Sequence, residues 1–395
     1  MSKIKLLIMF PSNIRGGAEE YALTIAKAAV KEQWKVHAAF PNIETTHSLI
    51  EDFKKQSIEY HPLDIAPVDG KRGKLFREHI PQFFRTVSVI IKIKPDIVHL
   101  NIPWYNWAFD SLLACGFLKT PTLVVFHLFP NKVTYNQLKL QAYKWSFSRH
   151  QKWIAISENN RQFISQSFQI DKNQISLIYN GTKANSNLTD ITEQQVSKLR
   201  NQLRQELHLP DNSKILLTVG RLHSQKGYKD LIEVIGSIIE KFPEVKFVWV
   251  GEGNLKDYLV KKINSYGLEK EVILLGYRTD VPCLLKASDL LVFPTWFEGG
   301  QSFVISEAMA HGLPIVASNA SGIPEIIENK VHGLLFTSKN QQELLQSILW
   351  ALNHPEAMKA MAENAQQRVQ GFSEDKMIEK TFEMIKIMKE NSLRN

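Results

Sequence analysis

Short apolar runs alternate with amphipathic stretches along almost the whole chain. The runs Lys5–Phe10, Val36–Phe40, Asp96–Leu100, Thr122–His127 and Trp153–Ile156 in the first half have the length of buried strands, as do Ile215–Val219, Val245–Val250, Val272–Leu275, Leu290–Phe293 and Ile315–Ala317 in the second. Near-continuous apolar strands separated by helix-length stretches mark parallel sheets covered on both faces. The pattern predicts an α/β protein of two doubly wound domains, facing each other across a cleft at the carboxyl ends of their strands, where ligands bind. The polar stretch Asn180–Thr192, with Gly181, predicts a hinge. A helix follows, with Val196, Leu199, Leu203 and Leu207 on one face, and Pro210 ends it. From Glu374 to Lys389 the residues Met377, Thr381, Phe382, Ile385 and Met388 fall at helical spacing, which predicts a last helix packing back on the first domain. The expected boundaries are residues 1–185, a linker and helix over 186–212, a second domain over 213–372, and the returning helix over 373–395.

Composition narrows this picture. A chain of 395 residues suits two domains, and 44% apolar residues are ample for two cores. The net charge of +8, from 48 basic and 40 acidic residues, suits anionic ligands or an anionic membrane surface. There is no dense basic run and no recognised nucleic-acid motif, so no nucleic-acid partner is expected. Only Cys115 and Cys283 are present, without metal-ligand spacing, which fits a reducing compartment and no disulfide framework. The stretch Lys3–Pro11 reads as a first buried strand rather than a signal peptide. No window is apolar and uncharged for long enough to span a bilayer. A cytoplasmic protein is therefore expected. Lys71-Arg-Gly-Lys-Leu-Phe-Arg77, followed by Phe83, Phe84 and Arg85, mixes cations with aromatics. It is a candidate for peripheral contact with an anionic membrane at its inner face; a solvated helix with one core-facing stripe is the competing reading.

The chemistry concentrates in Phe297-Glu-Gly-Gly-Gln-Ser-Phe-Val-Ile-Ser-Glu-Ala-Met-Ala-His-Gly-Leu-Pro314. Good helix formers run to the stop signal Gly312 and Pro314. Ser302 is placed to cap this helix, leaving the amides of Phe303, Val304 and Ile305 pointing outward. Such a helix end attracts an anion, typically a phosphate. Glu307 sits about one turn further in, within reach of the hydroxyls of an attached ribose. Glu298 lies on the preceding loop, near whatever the phosphate carries. Loop carboxylate, helix start and second carboxylate together suggest a nucleotide-sugar site.

A second cluster, Val219-Gly-Arg-Leu-His-Ser-Gln-Lys-Gly-Tyr-Lys-Asp230, follows a buried strand. Gly220 allows close backbone approach, and Arg221 and Lys226 project from a loop at the strand's carboxyl end. A departing diphosphate needs positive charge, from a metal or from fixed cations. No Asp-x-Asp occurs in the chain, so no metal is expected and Arg221 with Lys226 are the natural substitutes. Read alone, the two are as easily solvated surface cations. The spacing is not that of a kinase phosphate loop. Gly251, in Val250-Gly-Glu-Gly-Asn-Leu255, marks a tight turn that lines the cleft. Arg278 lies in Gly276-Tyr-Arg-Thr-Asp-Val281, a loop whose backbone could meet a nucleobase edge or be a plain connection.

In the first half, Gly16 and Gly17 expose backbone at a helix start after the first strand, suited to a diphosphate or an acceptor, or simply to a tight turn. His127 ends a strand at the expected cleft, where it could donate to a sugar hydroxyl or stabilise developing charge; a structural histidine is the alternative. Trp104, Tyr105 and Trp107 cluster after another strand end, to stack on a sugar or lipid acceptor or to fill the core.

Together these residues resemble the retaining glycosyltransferases of family 4, also called group 1, over nearly the whole chain. The resemblance rests on Val219-Gly-Arg-Leu, Lys226-Gly, Val250-Gly-Glu-Gly, Glu307-Ala-Met-Ala-x-Gly-Leu-Pro-Ile-Val, Gly322-Ile-Pro-Glu-Ile-Ile, Gly16-Gly-Ala-Glu, Lys94-Pro-Asp-Ile-Val-His99 and Ile154-Ala-Ile-Ser157. It implies the GT-B fold of two Rossmann-like domains. It also implies retaining transfer of a sugar from a nucleotide diphosphate donor to a glycan, lipid-linked or small-molecule acceptor, usually without a metal or other cofactor. By the resemblance, Arg221 and Lys226 bind phosphate, Glu307 binds ribose and His127 is the cleft histidine. The chain departs from the family pattern in two places. One is Asn180-Gly-Thr-Lys, where an acidic residue often follows in the family; the other is the spacing of the two glutamates. Eight residues separate Glu298 from Glu307, one more than usual, so Gly299 falls where the loop Glu is expected unless Gly299-Gly300-Gln301 absorbs the extra residue. Three competing readings stay open: a glycoside hydrolase using the two carboxylates, a catalytically silent nucleotide-sugar-binding subunit on the same fold, and a nucleotide-sugar epimerase.

Overall fold

The computed structural model describes residues 3–12, 15–65, 78–182, 192–300 and 302–394. The basic segment Lys71–Arg77 and Gln301 lie outside them. The chain forms two compact units, residues 1–180 with 375–395, and residues 181–374.

The first unit is built on seven strands: β1 (Lys5–Met9), β2 (Lys35–Phe40), β3 (Glu59–Pro62), β4 (Ile97–Ile102), β5 (Thr122–Phe126), β6 (Gln151–Ala155) and β7 (Ile175–Leu177). Every pairing is parallel, in the order β3-β2-β1-β4-β5-β6-β7. The second unit holds β8 (Lys214–Val219), β9 (Val245–Val250), β10 (Val272–Gly276), β11 (Leu290–Phe293), β12 (Ile315–Asn319) and β13 (Leu334–Thr337). These are also parallel, in the order β10-β9-β8-β11-β12-β13.

Side-chain alternation explains why helices cover both faces. Leu216, Phe247, Trp249 and Val292 pack into one core cluster. Their chain neighbours Ile215, Leu217, Val248, Val250, Leu291 and Phe293 pack into another. Successive side chains on a strand point to opposite faces, so apolar runs of this kind need a helical layer on each side. In both sheets the strand order reverses once, between β1 and β4 and between β8 and β11. At such switch points the loops leaving adjacent strands diverge and open a crevice at the carboxyl ends.

The sequence pattern misses β3, β7 and β13, three of the four sheet edges. They have three or four residues, and each carries partly exposed positions. A short strand bonded on one side only has no continuous apolar run to read.

The last helix, Glu374–Arg394, packs within the first unit. Met377, Thr381, Phe382, Ile385 and Met388 are all buried. The Phe382 ring lies 4.5 Å from that of Trp34, and the Lys389 ammonium bonds Asp96 at 3.0 Å. Of the aromatic segment expected at a membrane, Phe84 is exposed, and Arg85 bonds the Asp64 carboxylate at 2.6 Å. No helix among the described residues is long and apolar enough to cross a membrane.

Candidate active site

In the second unit, the loops after β8 and β11 flank the switch point and are bonded to one another. The Trp296 amide donates to the Gln225 carbonyl at 2.7 Å, and Gln225 Nε2 donates to the Phe297 carbonyl at 2.8 Å. Close approach demands glycine at two positions. Gly227 has φ +72°, and a Cβ there would lie 1.8 Å from the Pro294 carbonyl oxygen. Gly251 has φ +139°, and its Cβ would lie 2.1 Å from the Gly220 carbonyl oxygen. The loop after β9 is thereby pressed on the loop after β8. Any L side chain at either site meets both strain and clash.

This stitching brings Lys226 and Glu298 together. Lys226 Nζ donates to Glu298 Oε1 at 2.5 Å, with the two side chains 15% and 11% exposed. Thr295 Oγ1 donates to the same oxygen at 2.8 Å, and the Glu298 amide donates to Ser321 Oγ at 3.0 Å. The Lys226 ammonium also lies over the Phe293 ring, 5.1 Å from its centroid. The extra residue before Glu307 therefore does not take the Glu298 carboxylate out of reach of the strand-end loop. Arg221 is exposed, and its guanidinium has no hydrogen-bond or ion-pair partner among the described residues. Of the two expected phosphate cations, one is held by a carboxylate and the other is available.

The helix Phe303–Ala310 begins beside this pair. Ser302 stands at its N-cap with extended backbone, but its side chain caps no amide. That corrects the expected Ser302 cap. The amides of Phe303, Val304 and Ile305 precede the first intrahelical bond, Ser306 N–H to the Ser302 carbonyl, and they have no acceptor among the described residues. Glu307 is half-buried, and burial pushes its carboxyl up to about 7. No partner among the described residues offsets the desolvation, so this carboxyl is poised to accept from hydroxyl groups.

Arg278 lies in the loop after β10, whose backbone was the part expected to meet a nucleobase edge. Its guanidinium bonds both Asp280 oxygens, at 2.7 and 2.6 Å, and also bonds Glu206. These partners raise its pKa further. The side chain is committed to acidic neighbours, which leaves only the loop's backbone for the expected contact.

The first unit has its own cluster at its switch point. His127 follows β5 directly, and its amide bonds the Ile102 carbonyl at 2.9 Å. Its Nε2 lies 3.1 Å from Asn101 Oδ1, and Asn101 Nδ2 lies 2.9 Å from His99 Nδ1. An amide oxygen only accepts and an amide nitrogen only donates, so His127 donates through Nε2 and its Nδ1 remains as an acceptor. The sequence suggested a donor. Burial, with His99 nearby, lowers the His127 pKa to about 3, so the ring is neutral. The Tyr21 ring packs edge-on, 4.9 Å from His127, and lies 5.8 Å from His99. Sequence reading missed Asn101 and Tyr21; the available signal for Asn101 was its place two residues beyond His99, on the same face of β4.

Gly16 is the N-cap of the helix Gly17–Lys31, at the end of the loop after β1. The third residue of that helix, Glu19, is buried and folds back on the helix start, bonding the Gly16 backbone. Burial raises its pKa, while bonds to Ser12 and the backbone oppose this. The helix start thus already carries its own carboxyl group, as in the reciprocal half of a capping box. Trp104, Tyr105 and Trp107 are half-buried, with Tyr105 and Trp107 packed on the core.

Comparison with known proteins closes the matter of family. The sequence model described as "Glycosyl transferases group 1" matches residues 200–368, and that described as "Glycosyltransferase Family 4" matches residues 15–185. An uncharacterized glycosyltransferase of Methanocaldococcus jannaschii is 29% identical over 240 residues, 60% of this chain and 60% of that protein. The UDP-Gal:alpha-D-GlcNAc-diphosphoundecaprenol alpha-1,3-galactosyltransferase of Escherichia coli is 28% identical over 303 residues, 74% of this chain and 76% of that one. The Anabaena protein HepE, solved in complex with UDP, superposes with a TM-score of 0.77 at 25% identity over 97% of this chain and 100% of its own. With its two parallel sheets and with both models meeting along most of its length, the chain belongs to the group 1 glycosyltransferases of the GT-B fold.

Proposed function

We propose that the chain transfers a sugar from a nucleotide diphosphate donor to a hydroxyl acceptor, with retained anomeric configuration and without a metal. The observation that carries this reading is the convergence at one switch point of an available cation (Arg221), a carboxylate-held ammonium (Lys226), open helix amides (Phe303 to Ile305) and an unpartnered half-buried carboxyl (Glu307). A neutral glycoside would leave the cations and amides without use, so the arrangement favours transfer over hydrolysis. UDP is the first donor base to test, because HepE binds UDP and the Escherichia coli relative is a UDP-galactose enzyme by name. The reading gives the donor to the second unit and the acceptor to the first.

The reaction breaks the bond from the anomeric carbon to the diphosphate oxygen and forms one from that carbon to the acceptor oxygen. The acceptor proton passes to the departing diphosphate on the same face, which releases a nucleoside diphosphate and a glycoside. Arg221, Lys226 and the helix amides would stabilise the charge that develops on the leaving group. Glu307 would hold the ribose hydroxyls. A neutral His127 would accept from a hydroxyl of the acceptor at Nδ1. A glycan or a lipid-linked glycan is the acceptor class proposed.

Incubation with UDP-, GDP- and ADP-sugars, with and without an acceptor panel and with chelator throughout, tests the proposal. Nucleoside diphosphate release that depends on acceptor, with an α-linked product from an α-linked donor by proton NMR, supports it. Nucleotide binding without turnover across the panel would favour a silent binding subunit. Conversion of the donor sugar without acceptor would mean an epimerase.

A further inference from the structure

His37, Glu59 and His61 form the one group of three His, Cys, Asp or Glu side chains among the described residues whose ligand atoms all lie within 4.8 Å of one another. The cluster follows from strand register. On the parallel pair β2 and β3, His37 stands opposite Glu59, and Ala39 opposite His61. Alternate residues on a strand share a face, so Glu59-x-His61 sends both side chains to the face that carries His37. His37 Nδ1 lies 3.0 Å from His61 Nε2, and the Glu59 oxygens lie 3.3 Å from the first and 3.6 Å from the second. Zinc binds such donors at about 2.0–2.2 Å, which at tetrahedral angles sets neighbouring donor atoms about 3.3–3.6 Å apart. The two carboxylate separations, one from each Glu59 oxygen, fall in that range, and the two ring nitrogens stand slightly closer.

We propose that His37, Glu59 and His61 bind one zinc-class divalent cation, which ties the edge strand β3 to β2. Two imidazoles and one carboxylate suit zinc, cobalt, nickel or copper better than magnesium or calcium. The His37 and His61 side chains are 5% and 13% exposed, while Glu59 is 59% exposed. The cation would therefore enter from the Glu59 side and keep a water in its fourth position. Lys5 and Lys35 face His37, and Lys92 faces His61. Their positive charge sets the affinity below that of a closed four-ligand site.

The site lies at a sheet edge apart from the sugar chemistry proposed above, so its test needs no activity assay. The full chain, stripped with chelator, is dialysed against a small excess of zinc and the bound metal is counted. Wild type is expected to retain one zinc more per chain than either Glu59→Ala or His61→Ala. His61→Ala is expected to weaken binding by more than about 100-fold, the upper range for loss of a mere outer-shell partner. Cobalt in place of zinc is expected to give the visible absorption of a tetrahedral ion in wild type and to lose it in Glu59→Ala, whose exposed side chain is dispensable for folding. The proposal is overturned if wild type takes up no zinc, or if the circular-dichroism-normal variants take up as much as wild type.

Discussion

Lys226 and Glu298 meet at 2.5 Å from loops on either side of the switch between β8 and β11. Thr295 shares the carboxylate and Phe293 lies under the ammonium, so the cation is fixed in position before any ligand arrives. A fixed cation needs little reorganisation when charge develops on a leaving group, which is where such groups contribute most to rate. Glu298 is in this sense a positioning residue for Lys226.

Lys226→Ala is expected to lower turnover by about 100- to 1,000-fold, the usual loss for one fixed charge-stabilising donor. Glu298→Gln keeps the shape but releases the ammonium, so a smaller loss is expected, seen in kcat more than in KM. Steady-state kinetics on variants with normal circular dichroism check both. Equal turnover in wild type and Lys226→Ala would remove the lysine from the leaving-group role.

Glu307 gives a pH signature. Its pKa is raised to about 7 by burial, so it is largely protonated below that pH and ionised above it. Accepting hydrogen bonds from ribose hydroxyls favours the ionised form. Nucleotide affinity is therefore expected to weaken as pH falls from about 8 to 6, with proton release on binding near neutrality. Glu307→Gln should bind more weakly and lose the pH dependence. Calorimetry in buffers of different ionisation heat checks this. The stability sign is the reverse: a raised carboxyl pKa gives stability that is full below the unfolded value and fades as pH rises through about 7.

His127 should leave no limb in the activity profile near neutrality, because its pKa lies at about 3. His99 is equally depressed, to about 3. In an unfolded chain both rings would take up protons at about 6.5. Stability is thus expected to fall as pH drops below about 6.5 and to go on falling towards 3, measurable as a declining thermal midpoint. His127→Ala and His99→Ala should each flatten that decline. Asn101→Ala should lower kcat while leaving nucleotide affinity in the second unit unchanged, since Asn101 acts by fixing the His127 tautomer.

Gly227→Ala is expected to destabilise by well over 1 kcal/mol, the upper end of the range for compatible glycine sites. Its φ of +72° and the Pro294 carbonyl 1.8 Å from a built Cβ leave the loop no position to keep. Gly267→Ala is the control: φ is +66°, but nothing lies within 4 Å of its Cβ, so only the backbone strain should register. Thermal denaturation of the two separates strain from collision.

Much of this was readable from the residues, and the omissions have physical causes. The nine central strands and the edge strand β10 announce themselves as apolar runs because helices cover both faces of the sheets, as at Phe247 against Val248. The edge strand Glu59–Pro62 does not, since half-exposed Glu, Tyr and His fit a strand no better than a loop until β2 pairs with them. The strand-end glycines and the Glu298–Glu307 stretch were visible as local chemistry. The tie between Lys226 and Glu298 was not, because 72 positions separate them and only the sheet order brings β8 beside β11. The anchoring of Arg278 was hidden in the same way: Glu206, which holds its guanidinium along with Asp280, is likewise 72 positions away.

The first unit draws on residues 375–395, which are reached only after the whole of 181–374 has been traversed. Phe382 seats on Trp34 and Lys389 on Asp96 across that gap. On the ribosome, then, the earlier lobe must wait half-finished, its seat for the closing helix bare to chaperones, while the later lobe has every piece it requires and can mature ahead of it.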